Sequence, residues 1–240
     1  MRIAALEIPA RWAQPERAFE DAERLLGEGP RADLGLFNEL ALTSYVSPSG
    51  DFDLTAFAEP FDGPTLERAQ RLAHTSGSAL AFPLVERDGE RLFNTCVGVA
   101  ATGEVLFHYR KRHPWFPETW ASPGENPTAE FTLAGARLAL AICYDVHFLA
   151  TESRGALERA DVLLFPSAWV DLGTTADLRA PIFEELATSF DVVIANANWG
   201  PGTPRVGGQG SSRVVGPRGE IARARSARGA AARVDCVIEI

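Results

Sequence analysis

The sequence predicts a single α/β domain with a mixed sheet or sheets, and three observations carry that prediction. β-like runs and stretches of helical spacing alternate along all 240 residues, as they do when strands are linked through helices. Hairpin turns are inserted among the strands, so some pairs must run antiparallel. No linker, internal repeat or low-complexity segment divides the chain, so residues 1–240 read as one unit.

Taken in order, residues 2–8 alternate and predict an opening strand. Residues 15–29 carry Ala18, Ala22, Leu25 and Leu26 at helical spacing, closed by Gly27 and Gly29. Residues 33–37 form a short strand that runs directly into Asn38 and Glu39. Residues 43–63 are turn-rich and read as a loop. A helix restarts over Pro64–Ser76, with proline in its first turn and Gly77 at its end. Residues 78–86 and 93–101 are two strands joined by a hairpin turn, and residues 105–110 add a third. Residues 112–128 are rich in Pro, Trp and Glu and form a second irregular excursion. Residues 131–133 and 137–142 flank Ala134-Gly135 as a further hairpin. A helix (152–160), a strand (162–165), a helix (181–190) and a strand (192–195) follow, with late strands at 212–215, 220–223 and 232–238. The glycine-rich residues 200–210 lack the spacing of a phosphate-binding loop.

Composition excludes several classes. Hydrophobic residues make up 46% and charged residues 23%, which is ordinary for a globular chain. A formal charge of −9 disfavours nucleic acid and anionic membrane as partners. No apolar run approaches the roughly 20 residues that span a bilayer, and the N-terminus lacks the apolar stretch of a signal peptide. A cytoplasmic location is expected. Three cysteines (Cys96, Cys143, Cys236) and four histidines show no metal-ligand or redox spacing. One bias stands out: of 23 basic residues, Lys111 is the single lysine and the other 22 are arginines. Arginine replaces lysine on a solvated surface but not as a compact ammonium in a tight pocket. Lys111 is therefore a candidate for chemistry.

Residues 138–148 (LALAICYDVHF) begin as a buried strand and stop at Cys143. A cysteine there is commonly a small buried hydrophobe, and Cys96 and Cys236, inside alternating strands, read that way. Glu39 and Lys111 also stand at strand ends, where sites usually lie. Cys143, a carboxylate base and an ammonium suffice for acyl transfer through a thioester, the ammonium facing the oxyanion. A pair between Cys143 and His147 is a second arrangement that spacing allows.

Read jointly, these segments resemble the carbon–nitrogen hydrolase (nitrilase) superfamily over nearly the whole chain. Residues 33–45 (DLGLFNELALTSY) are similar to its glutamate segment and residues 109–124 (YRKRHPWFPETWASPG) to its lysine segment. Residues 138–148 are similar to its nucleophile segment. Residues 160–162 and 165–169 (FPSAW), then residues 208–215 (GQGSSRVV) with Gly219-Glu220, complete the match in order. The resemblance implies a four-layer α-β-β-α sandwich with two mixed sheets, commonly paired as a dimer. It implies Glu39 as base, Cys143 as nucleophile, Lys111 as stabiliser of the tetrahedral intermediate and Glu118 as a supporting carboxylate. The Tyr144 backbone N–H would complete the oxyanion hole, and Tyr45, Trp115, His147 and Trp169 are candidates for the substrate pocket. No metal or cofactor is implied. Tyr144 after the cysteine points to the amidase-like branches. Two departures stand out: Asn38 replaces a usual proline, and residues 147–150 (HFLA) replace a common Arg-Phe-Pro-Glu.

The expected activity is hydrolysis of a small linear amide. A carbamoyl-amide hydrolase, a nitrilase, an acyl transferase to amines and a catalytically idle scaffold are the other readings.

Overall fold

The computed structural model describes residues 1–170, 177–202 and 207–239. Positions 203–206 of the glycine-rich stretch lie outside the described residues.

The first half runs β1 (Arg2–Glu7), α1 (Pro15–Gly27), β2 (Leu34–Phe37), α2 (Pro64–Ser76), β3 (Ala79–Asp88), β4 (Arg91–Val99) and β5 (Val105–Arg110). Both helices open on proline, whose fixed φ and missing N–H suit a first turn. The loop between β2 and α2 contains one short 3-10 turn, Thr55–Phe57. The second half runs β6 (Ala129–Leu133), β7 (Ala136–Leu140), α3 (Leu149–Glu152), α4 (Arg154–Arg159), β8 (Val162–Pro166), α5 (Arg179–Phe190) and β9 (Val193–Ala197). β10 (Arg213–Gly216), β11 (Gly219–Arg223) and β12 (Ala232–Val237) follow.

The strands form two six-stranded mixed sheets, ordered β12-β1-β2-β3-β4-β5 and β11-β10-β9-β8-β7-β6. Strand alternation assigns each face its partner. In β1, Ile3 and Ala5 face the second sheet and join Leu138, Leu140, Val162 and Leu164 in the central core. Ala4 and Leu6 face the other way, onto Phe19, Ala22 and Leu25 of α1 and Leu72 of α2. The outer face of the second sheet is covered likewise, with Leu163, Phe165 and Ile194 against Leu157, Phe183 and Leu186. The layers are therefore helix, sheet, sheet, helix. Among the described residues no helix is long and apolar enough to cross a membrane.

The two sheets also share one topology. Each has three parallel strands (β1-β2-β3 and β7-β8-β9) with an antiparallel strand on one flank and an antiparallel hairpin on the other. This repeat is invisible in the sequence, because a shared strand order needs only matching hydrophobic periods and no matching residues.

Several elements differ in extent from expectation, and three of them show why. The helix expected over 152–160 is two short ones, broken at Ser153, whose hydroxyl bonds the Pro127 carbonyl at 3.2 Å. That bond joins residues 26 apart, so the break goes with a tertiary contact. α5 begins two residues before Pro181, which occupies its first turn. The strand expected to run to Ile142 ends at Leu140, since the Ile142 N–H turns to the Asp145 carboxylate at 3.1 Å.

Candidate active site

Glu39, Lys111 and Cys143 come from three strands of two sheets: each follows the C-terminal end of its strand, β2, β5 and β7 respectively. In sheets of this kind ligands sit outside those ends. Local contacts fix each position. Asn38 accepts the Ile8 N–H on its side-chain oxygen at 2.9 Å and donates to the Glu39 carbonyl at 3.3 Å, tying the end of β1 to the glutamate turn. This is how the chain manages without the usual proline. Lys111 extends the β5 ladder by one residue, its N–H bonding Asn94 O at 2.8 Å. Its own carbonyl receives the Gly124 N–H at 2.8 Å. A Cβ on Gly124 would stand 2.1 Å from the Arg110 carbonyl oxygen, so only glycine permits that approach.

The Lys111 ammonium bonds Glu39 Oε1 at 2.7 Å and Glu118 Oε1 at 2.6 Å, with all three side chains almost wholly buried. Asn94 Nδ2 donates to Glu39 Oε1 at 2.8 Å, and the Tyr45 hydroxyl to Glu118 Oε1 at 2.5 Å. One cation thus faces two carboxylates in a buried site. Burial opposes the charge on Lys111, but the Glu118 and Glu39 carboxylates outweigh it and hold its pKa above that of an ordinary lysine. Burial raises Glu118 to about 7, with Lys111 pulling it down and Glu39 adding to the rise. Glu39 Oε2 and Glu118 Oε2 are buried acceptors with no partner among the described residues.

Cys143 opens a 3-10 turn, Cys143–His147, with φ of +45°. A non-glycine residue in that region is sterically strained, and such residues gather at functional sites. The turn is anchored by Asp145, which is itself buried. Its carboxylate accepts the Ile142 N–H at 3.1 Å, the Tyr109 hydroxyl at 2.8 Å and the His113 N–H at 2.7 Å. Tyr109 and His113 bracket Lys111, so Asp145 locks the cysteine turn to the lysine segment. Burial raises Asp145 to about 6 against the pull of Lys111 and these three donors. The first bond of the turn is Asp145 N–H to Ile142 O, which leaves the Tyr144 N–H ahead of the turn's own bonding. Burial, then the Glu39 charge, pushes the Cys143 thiol well above its ordinary value, opposed by Lys111 and by a backbone bond from Ala168. Cys143 faces a cavity of about 280 Å³ that Trp115, Tyr144, His147, Ala168 and Trp169 help to line. Among the described residues no group of three His, Cys, Asp or Glu could hold a metal ion.

Comparison with known proteins agrees with this geometry. The model of the carbon–nitrogen hydrolase family matches residues 2–232. The chain belongs to the carbon–nitrogen hydrolase family. A mutant of the amidase from Nesterenkonia sp. AN1, solved with the product of Michael addition of acrylamide at its active-site cysteine, superposes with a TM-score of 0.81 at 27% identity. That match covers 99% of this chain and 93% of the other. Among curated proteins, a hydrolase encoded in the pqqF 5′ region of Pseudomonas protegens is 29% identical, over 91% of this chain and 76% of its own. The N-carbamoylputrescine amidase of Oryza sativa subsp. japonica is 27% identical over 69% of this chain, a span of 58% of that protein. This carbon–nitrogen hydrolase accordingly sits in the amidase-like branch of the nitrilase superfamily.

The hydrolase brings Glu39, Lys111, Glu118 and Cys143 together, and Trp115, Tyr144, His147 and Trp169 line the cavity. Tyr45 stands elsewhere: it is not in the cavity wall, and its hydroxyl holds Glu118 from behind. His147 packs edge-on to Tyr144 at 5.0 Å, and no hydrogen bond joins it to Cys143 among the described residues. The replaced residues 147–150 are thus wall and packing; Phe148 stacks on His113 at 3.8 Å. Sequence reasoning missed Asn94 and Asp145. Asn94 had no signal, being one polar residue in an alternating strand. Asp145 had a weak one, a carboxylate two residues past the nucleophile.

Two predictions follow from this charge balance. Lys111→Met leaves Glu39 and Glu118 facing each other in a buried site, so it should destabilise the fold by about 3–5 kcal/mol, read by urea unfolding. Asp145 and Glu118 both have raised pKa values, so the fold favours their protonated forms. That stability is complete below the ordinary carboxylate range and is lost as pH rises through about 6 for Asp145 and about 7 for Glu118. The unfolding free energy should therefore drop between about pH 4 and about pH 7, with a shallower slope in Glu118→Gln. An unchanged slope in that variant would contradict the assignment.

Proposed function

We propose that this carbon–nitrogen hydrolase cleaves small linear amides through a thioester on Cys143, releasing ammonia or an amine. The observation that carries the reading is one ammonium shared by two buried carboxylates beside a strained, cavity-facing thiol. With its pKa raised, Cys143 is a thiol at neutral pH and needs a base as it attacks. Glu39 takes that proton while sulfur bonds the amide carbon and the carbonyl electrons move onto oxygen. Lys111 and the Tyr144 N–H stabilise the oxyanion, and Glu118 keeps Lys111 charged and placed. Collapse expels the amine with the proton returned by Glu39. Water, deprotonated by Glu39, then attacks the thioester and restores the thiol.

A carbamoyl amide would follow the same steps and release carbon dioxide as well, and two similar proteins carry names of that kind, a β-ureidopropionase and an N-carbamoylputrescine amidase. Assembly as a homodimer or larger homo-oligomer belongs to the same reading.

The test is intact-protein mass spectrometry with ammonia release over an amide panel. Wild type should show an acyl adduct and turnover, and Cys143→Ala neither. Glu39→Gln should lower kcat/KM by about 10²–10⁴-fold. Lys111→Arg should be similarly impaired, because a guanidinium does not fit where an ammonium bonds two carboxylates at once. Full activity in Cys143→Ala would sink the mechanism.

A further inference from the structure

The base of the proposed mechanism is held by a residue to which that mechanism gives no part. Asn94 is buried on β4, an interior strand between β3 and β5. Its backbone carbonyl accepts the Lys111 N–H at 2.8 Å. Its side-chain Nδ2 donates to Glu39 Oε1 at 2.8 Å and, more loosely, to Glu118 Oε1 at 3.4 Å. With the amide the other way round an oxygen would face two carboxylate oxygens, so the NH2 group is the one that meets them. The same two oxygens receive the Lys111 ammonium. Glu39 and Glu118 are thus bridged twice, once by a cation and once by a neutral amide.

That double hold acts on one oxygen of Glu39. A carboxylate oxygen offers two lone pairs in its plane, and on Oε1 Lys111 and Asn94 engage both. Oε2 has no partner among the described residues, so it is the oxygen with capacity for a proton. Glu39 stands close enough to Cys143 for its charge to act on the thiol. The neutrality of the second bridge matters too. A second cation in its place would favour the ionised carboxylate and make it a poorer base, whereas an amide orients the carboxylate and adds no charge. Asn94 Oδ1 is itself a buried acceptor without a partner among the described residues. An orphaned oxygen is a cost to the fold, so what this amide contributes lies in its N–H groups.

We infer that Asn94 is a positioning residue for the general base: by holding Glu39 Oε1 together with Lys111, it leaves Oε2 as the oxygen that takes the Cys143 proton. The S–H bond of Cys143 breaks as an O–H bond forms on Oε2, and the hydrogen bonds to Oε1 persist through the transfer. The inference rests on the thioester mechanism proposed above and deepens it, since it names the atom of Glu39 that carries the proton and the residue that selects it.

The test compares wild type with Asn94→Leu and Asn94→Asp in the whole protein. Leucine removes the donors and the orphaned oxygen together; aspartate keeps the shape and sets a third carboxylate against the first two. Two rates are followed across pH. One is ammonia release from the amide panel, and the other is alkylation of Cys143 by iodoacetamide, read by intact mass with Cys143→Ala as the blank. Alkylation reports proton loss from the thiol without cleavage of a C–N bond. Asn94→Leu should lower kcat by about 10- to 100-fold and leave KM within about threefold. In both variants the acidic limbs of kcat/KM and of alkylation should move together to higher pH by about one unit, because a carboxylate that loses a donor or gains a like charge holds its proton more tightly. Urea unfolding identifies which variant keeps a cooperative fold, and the limbs are read in that one. Unmoved limbs in a folded variant, or a loss confined to KM, would overturn the inference. So would loss of the cooperative transition in both variants, which would make Asn94 a structural residue. Moved alkylation limbs in a protein whose wild type hydrolyses none of the amides would uphold the positioning role and count against amide hydrolysis itself.

Discussion

The Lys111 ammonium, held between Glu39 and Glu118, is the interaction on which the rest of the site depends. Two carboxylates cannot both remain ionised in a dry interior without a cation, and one cation between them fixes all three in space. The first consequence is positional: Glu39 comes from the end of β2, Lys111 from the end of β5 and Glu118 from the excursion after it. The ion pair therefore pins an otherwise irregular segment to the sheet. The second is chemical. The ammonium counters part of the charge of the two carboxylates, which makes them tolerable in a buried region.

The thiol needs a different kind of support. Its backbone is strained, so the turn must be held from outside, and the Asp145 carboxylate does this through three donors. Two of those donors lie on the lysine segment. Cys143 and the Lys111 ammonium are consequently referenced to one another by a short path of hydrogen bonds, though they follow strands of different sheets. Removal of that carboxylate would leave buried donors unpaired, at a cost of about 1–3 kcal/mol for each.

What the sequence displayed and what it concealed divide along physical lines. Strand alternation and helix periodicity are local properties, and they placed β1, α2 and β5 close to where they stand. The lone lysine was legible because arginine had taken every other basic position. Glu39 and Cys143 were legible only jointly, as members of an ordered set of segments. Concealed were features made by tertiary contact: Asn94 reaching Glu39 across the sheet, Tyr45 turned behind Glu118, and the helix interrupted at Ser153. The shared strand order of the two sheets was hidden for the same reason, since it resides in pairing and not in residue identity.

The sheet edges carry one more consequence. β1 is completed by β12, the last strand of the chain, and the central core is shared by strands of both halves. Contacts of such large sequence separation form late, because the chain entropy of closing the intervening loop must be met first. Lys111 and Cys143 both lie within the segment that this pairing closes, one after a strand of each sheet. The cluster of Cys143 with Lys111, Glu39 and Glu118 therefore exists only once the two sheets have docked.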